Sequence, residues 1–332
     1  MMRFLLAPLA GFTDAPFRRM CAEGGADLVY TEMVSAAGLA HGSSPTRHLM
    51  ESLPGEGPLG CQLFGAEPDE LAFATREVDA FSAARRREGE AGFVELNLNA
   101  GCPMTKVTRS GAGAKLVEDP AKIFRLLKAM TASTALPVTL KTRLGPHPRR
   151  TTIFEILDAA EQAGAAGLIV HARYTSQMHG GEVHLDTLAE VVRRARIPVI
   201  GNGSVTGPAQ VRAMAACGVA GVMIGRATLS DPQVFRRLKG EEVPPADRMA
   251  DCRRHLGYLL EFRRRLAERY PADHVPGEDA FASVKMHTHL FRYFSGRPGA
   301  AALRARLNAV RTLAEIRSLI AAAESPDPAP QS

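Results

Sequence analysis

A chain of 332 residues with 45% apolar and 23% charged side chains can bury a large core and is too long for one small domain, so one to two globular domains are expected. No run approaches the roughly 18 apolar residues of a membrane span. Five cysteines, odd in number and without a C-x-x-C pair, support neither a zinc site nor a disulfide framework and fit a reducing, cytoplasmic compartment, while a formal net charge of +6 permits a polyanionic partner without requiring one.

The opening MMRFLLAPLAGFTD lacks a basic segment followed by a long apolar one and runs straight into a turn, which makes it a first β-strand and not a leader. Short apolar or β-branched runs then alternate with helical patterns up to about residue 240. Strands are expected over 4–10, 27–32, 59–65, 93–99, 137–143, 167–172, 197–203 and 220–227, and helices over 68–84, 119–131, 152–163, 185–195 and 208–217. This alternation predicts a (β/α)8 TIM barrel of about 240 residues, placing the chain in the α/β class. A doubly wound sheet is the alternative; the lack of a G-x-G-x-x-G after the first strand speaks against it.

The string EEVPPAD, ending at Asp247, breaks the pattern, and no strand candidates follow. Stretches 252–270, 280–294 and 301–324 carry apolar residues at three- and four-residue spacing and predict a small all-α helical bundle. The expected division is a barrel over 1–242, a helical domain over 243–324, and a disordered Pro-rich tail over 325–332. Residues 246–317 hold 14 Lys/Arg against 8 Asp/Glu, a balance that equals the net charge of the whole chain. A basic module on a neutral α/β body suits an enzyme acting on nucleic acid, although a solvated helical face gives the same count.

Chemistry concentrates at the expected carboxyl ends of the strands, where barrels of this kind build their active sites. Residues 94–107, VELNLNAGCPMTKV, end a strand in Asn97 and Asn99 and then display Cys102 between Gly101 and Pro103, a placement suited to a proton donor. An isolated cysteine is otherwise a small buried hydrophobe. Gln62 follows the third strand, Lys141 and Arg143 the fifth, His171 and Arg173 the sixth, Asn202-Gly203 the seventh and Gly225-Arg226 the eighth. Lys141, inside the apolar PVTLKTR, must face the barrel mouth or be buried unpaired at large cost. Together these residues suggest an anionic planar cofactor, flavin mononucleotide, with its phosphate at strands seven and eight and its ring beside Lys141, Gln62 and the Cys102 loop.

These motifs coincide over nearly the whole length with one family: APLAGFTDAPFR (7–18), ELNLNAGCPMTKV (95–107), RSGAGAKL (109–116), TLKTRLG (139–145), VHAR (170–173), IPVIGNG (197–203) and VMIGRA (222–227). The chain resembles the tRNA dihydrouridine synthases. The resemblance implies flavin contacts from Pro8, Leu9, Ala10, Gln62, Lys141, His171, Asn202, Gly203, Gly225 and Arg226, with NADPH reducing FMN, hydride passing to C6 of a uracil, and Cys102 protonating C5. It implies substrate or RNA contacts from Asn97, Asn99, Arg143 and Arg173, and phosphate contacts from Arg263, Arg264, Arg265, Lys285, Arg292 and Arg297 near Phe291, Tyr293 and Phe294. The partner is then tRNA, and the enzyme a cytoplasmic monomer without membrane or metal. The chain departs from the family pattern at His179, His184 and Leu185, where an aromatic residue and an Asp-Trp pair are common, and at Ser204, where an acidic residue often stands. Two alternatives stay open: a flavin barrel acting on a free pyrimidine, as a dihydroorotate dehydrogenase does, and a non-catalytic RNA-binding barrel.

Overall fold

The structure is a computed structural model, described for residues 2–296 and 300–324, with side chains omitted for 300–302. Nine strands form one parallel sheet: β1 (Arg3–Leu6), β2 (Val29–Tyr30), β3 (Val34–Ser35), β4 (Leu59–Phe64), β5 (Glu95–Ala100), β6 (Val138–Arg143), β7 (Gly167–His171), β8 (Val199–Asn202) and β9 (Gly221–Ile224). Their order is β1-β9-β8-β7-β6-β5-β4-β2, with β3 a short spur on β4. The ring closes where Leu5 bridges Leu28 and the Leu6 N–H donates to the Leu28 carbonyl at 2.9 Å. Eight parallel strands, each beside its neighbour in the chain, make a (β/α)8 barrel and rule out the doubly wound alternative.

Each expected barrel helix is present, at Pro68–Arg87, Pro120–Thr131, Ile153–Gln162, Leu185–Arg194 and Pro208–Ala216. Three begin with proline, whose fixed φ suits a first helical turn and whose missing N–H costs nothing there. Alternation along the strands sorts side chains between two cores. In β5, Leu96 and Leu98 join the apolar layer between strands and helices, while Glu95, Asn97 and Asn99 bond to residues of neighbouring strands across the ring. Leu5, Leu28, Tyr30, Ile169, Ile200 and Met223 fill the barrel. Gly60 makes room for Tyr30: a Cβ there would lie 2.6 Å from the ring.

After β9 the described residues form only helices, chiefly Arg248–Arg269, Glu278–Tyr293, Ala300–Ala309 and Leu313–Glu324. Asp247 caps the first, accepting from the N–H groups of Met249 and Ala250 at 3.0 Å each. The stretch 301–324 is broken at Thr312. There Glu315 accepts from the N–H groups of Arg311 and Thr312, and the Thr312 hydroxyl accepts from Glu315 N–H, a T-x-x-E capping box that starts a new helix. These helices share an apolar cluster that includes Leu256, Phe262, Met286, Tyr293 and Ile316, with Ala15 and Leu53 contributed from the barrel side.

A buried ionic network joins the two parts. Glu51 accepts from Arg85 and from the Tyr270 hydroxyl at 2.6 Å each and forms an ion pair with Arg269 at 3.2 Å. Arg85 also pairs with Glu90 at 2.6 Å, and Glu90 in turn with Arg265 and Arg269. Among the described residues no helix is long and apolar enough to cross a membrane.

Candidate active site

Strand register brings the singled-out residues to one end of the barrel. Gln62 pairs with Asn97 and Asn97 with Thr139; Asn99 pairs with Lys141; Arg143 pairs with His171, His171 with Asn202, and Asn202 with Met223. Because parallel neighbours in register point to the same face, these side chains line one continuous wall at the carboxyl ends of the strands.

A chain of side-chain hydrogen bonds climbs that wall from the filled interior. Glu95 accepts from Tyr30 at 2.5 Å and from Thr139 at 2.9 Å. Asn97 donates to Thr139 at 2.8 Å and accepts from Gln62 at 2.7 Å. Gln62 accepts from Asn99 at 2.8 Å, and Asn99 accepts from the backbone N–H groups of Gly101 and Cys102 at 3.1 and 3.0 Å. Asn97 is fully buried and its amide is spent inside the barrel, so it supports the Cys102 loop through Gln62 and Asn99 and offers no surface to RNA. Each amide in such a chain has its orientation fixed by the next.

Three further contacts hold the loop. Cys102 O accepts from Ala114 N–H at 2.8 Å, and Gly113, at φ +60°, packs so closely that a Cβ would lie 2.6 Å from that oxygen. Arg143, 1% exposed, donates to the carbonyls of Gly101 at 2.7 Å, Met178 at 2.7 Å and Tyr174 at 3.2 Å. It therefore clamps the Cys102 turn to the loop after β7. That gives it a structural part beside the substrate or RNA contact the resemblance implies for it. The thiol of Cys102 itself is partly accessible.

Lys141 is partly accessible at the barrel mouth and enclosed by its wall; its ammonium donates to Asn202 Oδ1 at 3.3 Å, and Asn202 donates to the Met223 carbonyl at 2.8 Å. Burial, reinforced by Arg143, pushes Lys141 down to about 8. Burial and the cations Lys141, Arg143 and Arg173 likewise hold His171 neutral, far below the usual histidine range. Arg226 adds its charge to Arg173 and His179. The charged groups acting most strongly here are Lys141, Arg143, Arg173 and Arg226, with the Cys102 thiol beside them. Positive charge gathered in this way calls for an anionic ligand.

Gly203 and Gly225 lie at the ends of the adjacent strands β8 and β9. Gly203 has φ +130°, and a Cβ there would lie 3.1 Å from the His171 ring; Gly225 leads a short 3-10 turn that begins with the exposed Arg226. Pro8 and Leu9 are partly buried and Ala10 exposed, on the loop after β1. Arg173, 3% exposed, donates to Gly181 O and Ser204 Oγ at 2.7 Å each and lies 3.3 Å from His171 Nε2. Ser204, with φ +51°, thus receives an arginine where the family often has an acid. His184 contacts Gln177 at 3.2 Å and stacks edge-on with Tyr174, so the atypical segment forms its own network.

The family profile for Dihydrouridine synthase (Dus) matches residues 5–325. The chain belongs to the dihydrouridine synthase family. It is 33% identical to tRNA-dihydrouridine synthase B of Pseudomonas putida over 314 residues, 92% of this chain and 86% of that protein. It is 34% identical to tRNA-dihydrouridine synthase B of Escherichia coli over 295 residues, 83% of this chain and 88% of the relative. Among solved structures, a mandelate oxidase mutant with benzaldehyde aligns at TM-score 0.44 and 20% identity, covering 71% of this chain and 70% of the other. The fold assignment rests on the closed strand order and not on that weaker likeness.

As a dihydrouridine synthase family member the chain carries basic residues outside the barrel, but they are not equivalent. Arg265 pairs with Glu90 in the ionic network between the helices and the barrel side. Arg263 donates to the Pro276 carbonyl at 2.9 Å, and Arg264, 69% exposed, lies 4.0 Å from Glu268. Arg292 is exposed, Lys285 partly buried, and Arg297 lies outside the described residues. A cavity of about 580 Å³ separates the helices from the barrel, bordered by Asp14, Glu32, Phe281, Val284 and Lys285; it does not reach Cys102, Lys141 or Asn202. The sequence expectations overlooked Tyr30, Glu95 and Thr139, whose polarity inside strands was the available signal, and Gly113, which RSGAGAKL displays without saying what it touches.

Proposed function

We propose that this chain reduces uridines of tRNA to 5,6-dihydrouridine, using FMN and NADPH, with Cys102 as the proton donor. The observation that carries this is the cationic wall of Lys141, Arg143, Arg173 and Arg226 around the neutral His171, beside the Cys102 loop. The printed names of the relatives, tRNA-dihydrouridine synthase B, support the substrate.

The residues fit a flavin nucleotide in charge and shape. Gly203 and Gly225 would let a phosphate approach the backbone near Arg226, and Pro8, Leu9 and Ala10 would border the ring across the mouth from Gln62. Bound FMN would supply hydride to C6 of the uracil after its own reduction by NADPH. Lys141, oriented by Asn202, would offset negative charge left on the reduced ring. Cys102 gives its proton to C5 as hydride reaches C6, so the C5=C6 double bond becomes two C–H bonds and the thiolate regains a proton from solvent. Lys141 and Arg143, both within electrostatic reach of the thiol, offset the charge left behind. Asn99 keeps the turn in place through the Gly101 and Cys102 N–H groups.

A base inside a helical stack cannot present C5 and C6, so the uridine must be swung out into the mouth. The helical region, which we place at 243–324 after the barrel, holds the rest of the RNA through Arg263, Arg264, Lys285 and Arg292. The test is direct. Purified protein is expected to be yellow, to hold FMN, and to form dihydrouridine in unmodified tRNA with NADPH, read by nucleoside mass spectrometry. A colourless protein that takes up no flavin, or one that reduces a free pyrimidine while leaving tRNA unchanged, would overturn the proposal.

A further inference from the structure

A second constellation lies away from the barrel mouth. Asp14, on the loop after β1, converges with His255 of helix Arg248–Arg269 and His289 of helix Glu278–Tyr293. One ligating atom from each lies within 4.8 Å of the others, and all three residues are buried, at 8%, 0% and 1% exposure. Asp14 Oδ1 stands 3.9 Å from His255 Nε2, too far for a hydrogen bond. By hydrogen-bond geometry His255 Nε2 and both ring nitrogens of His289 close no bond within the chain, although Asp14 and the Phe12 carbonyl stand near enough to act on these rings. Buried polar atoms in folded proteins are nearly always well satisfied, so two buried imidazoles converging on a buried carboxylate with poor hydrogen-bond geometry suit a shared ligand.

We propose that Asp14, His255 and His289 bind a divalent first-row metal ion, zinc being the best match, which ties the helical region to the barrel. Imidazole and carboxylate donors are a usual zinc set, completed here by a water in the fourth position. Zinc bonds of about 2.0–2.2 Å put tetrahedral ligands about 3.3 Å apart, so modest side-chain rotations close the site. The surroundings already orient two ligands. His255 Nδ1 lies 3.1 Å from the Tyr293 hydroxyl, which can accept its proton and leave the Nε2 lone pair facing inward. Asp14 Oδ1 accepts from Phe17 N–H at 3.2 Å as the N-cap of helix Ala15–Glu23.

The competing reading is a dry aromatic core, because His289 also packs against Phe12 and Phe17 with ring centroids 5.2 and 5.0 Å apart. The experiment that separates the two uses untagged full-length protein, zinc-loaded, dialysed and analysed for metal, beside Asp14→Asn, which keeps a helix-capping oxygen, and His289→Gln. About one zinc per chain is expected in the wild type, with affinity at least tenfold lower in both variants. Equal zinc in all three, or none in the wild type, would overturn the proposal. Should the variants misfold, cobalt titration of flavin-free wild type decides: visible bands of a four-coordinate site are expected, and their absence refutes it. Neither readout depends on flavin or RNA.

Discussion

Cys102 and Lys141 meet at the barrel mouth because a parallel ring sends every strand end to the same face. Cys102→Ala should leave flavin content and NADPH oxidation near wild type while uridine reduction falls by about 10²–10⁴, the usual worth of a general acid; stopped-flow absorbance and product mass would separate the two half-reactions. Lys141 carries a pH signature. Its folded pKa, about 8, lies below the unfolded value of 10.5, so between those limits the unfolded chain binds more protons and stability rises with pH. The wild-type minus Lys141→Met difference in urea midpoint, measured on flavin-free protein, should therefore climb from pH 8 to 10.5; a flat difference would mean an unperturbed lysine. These two residues were legible in the sequence because each breaks a local rule, a cation in a strand and a thiol in a Gly-Pro turn. The parts of Asn97 and Arg143 were not legible, since a polar residue at a strand end reads the same whether it faces a ligand or anchors the loop behind one.

Among elements, the segment after β5 shows how backbone sets chemistry. Gly113 has a positive φ and touches the Cys102 carbonyl, so Gly113→Ala meets both a conformational penalty and a collision. A stability loss of about 1–3 kcal/mol is expected in urea unfolding, with a larger proportional loss of turnover, since displacing a reacting group by about 1 Å can cost about 10²-fold. Equal losses of both would assign Gly113 to folding alone. The barrel strands and helices were visible in the period and turn residues of the sequence, usually within a few positions. The spur β3 was not, because two residues carry no period, and the break at Thr312 was hidden by apolar spacing that continues through it although T-x-x-E spells the new start.

At the scale of the molecule, the ionic network around Glu51 and Glu90 separates the basic residues by task. Arg265→Glu would set like charges against Glu90 and should destabilise the fold, whereas Arg264→Glu, on an exposed side chain, should leave the urea midpoint unchanged and weaken RNA binding together with its salt dependence. Glu51 is the hub: 5% exposed, it accepts from Arg85 and Tyr270 and pairs with Arg269. Glu51→Ala strips the buried Arg85 of one of its two carboxylates and should cost roughly 3–5 kcal/mol; a loss under about 1 kcal/mol, the worth of a surface pair, would show the network to be solvated. The basic balance of residues 246–317 was countable from sequence, but which arginines stay free depended on Glu51 and Glu90, distant in the chain and unmarked by any motif.

Tyr30, seated against Gly60 and bonded to Glu95, together with the apolar filling around it, seals the barrel below the mouth. A vessel stopped at one end has one doorway, and under the proposed reaction the dinucleotide reductant and the extruded base would use it in turn. Steady-state kinetics should then give parallel double-reciprocal lines as each substrate is varied, and each substrate in excess should inhibit by competing with the other for the same opening.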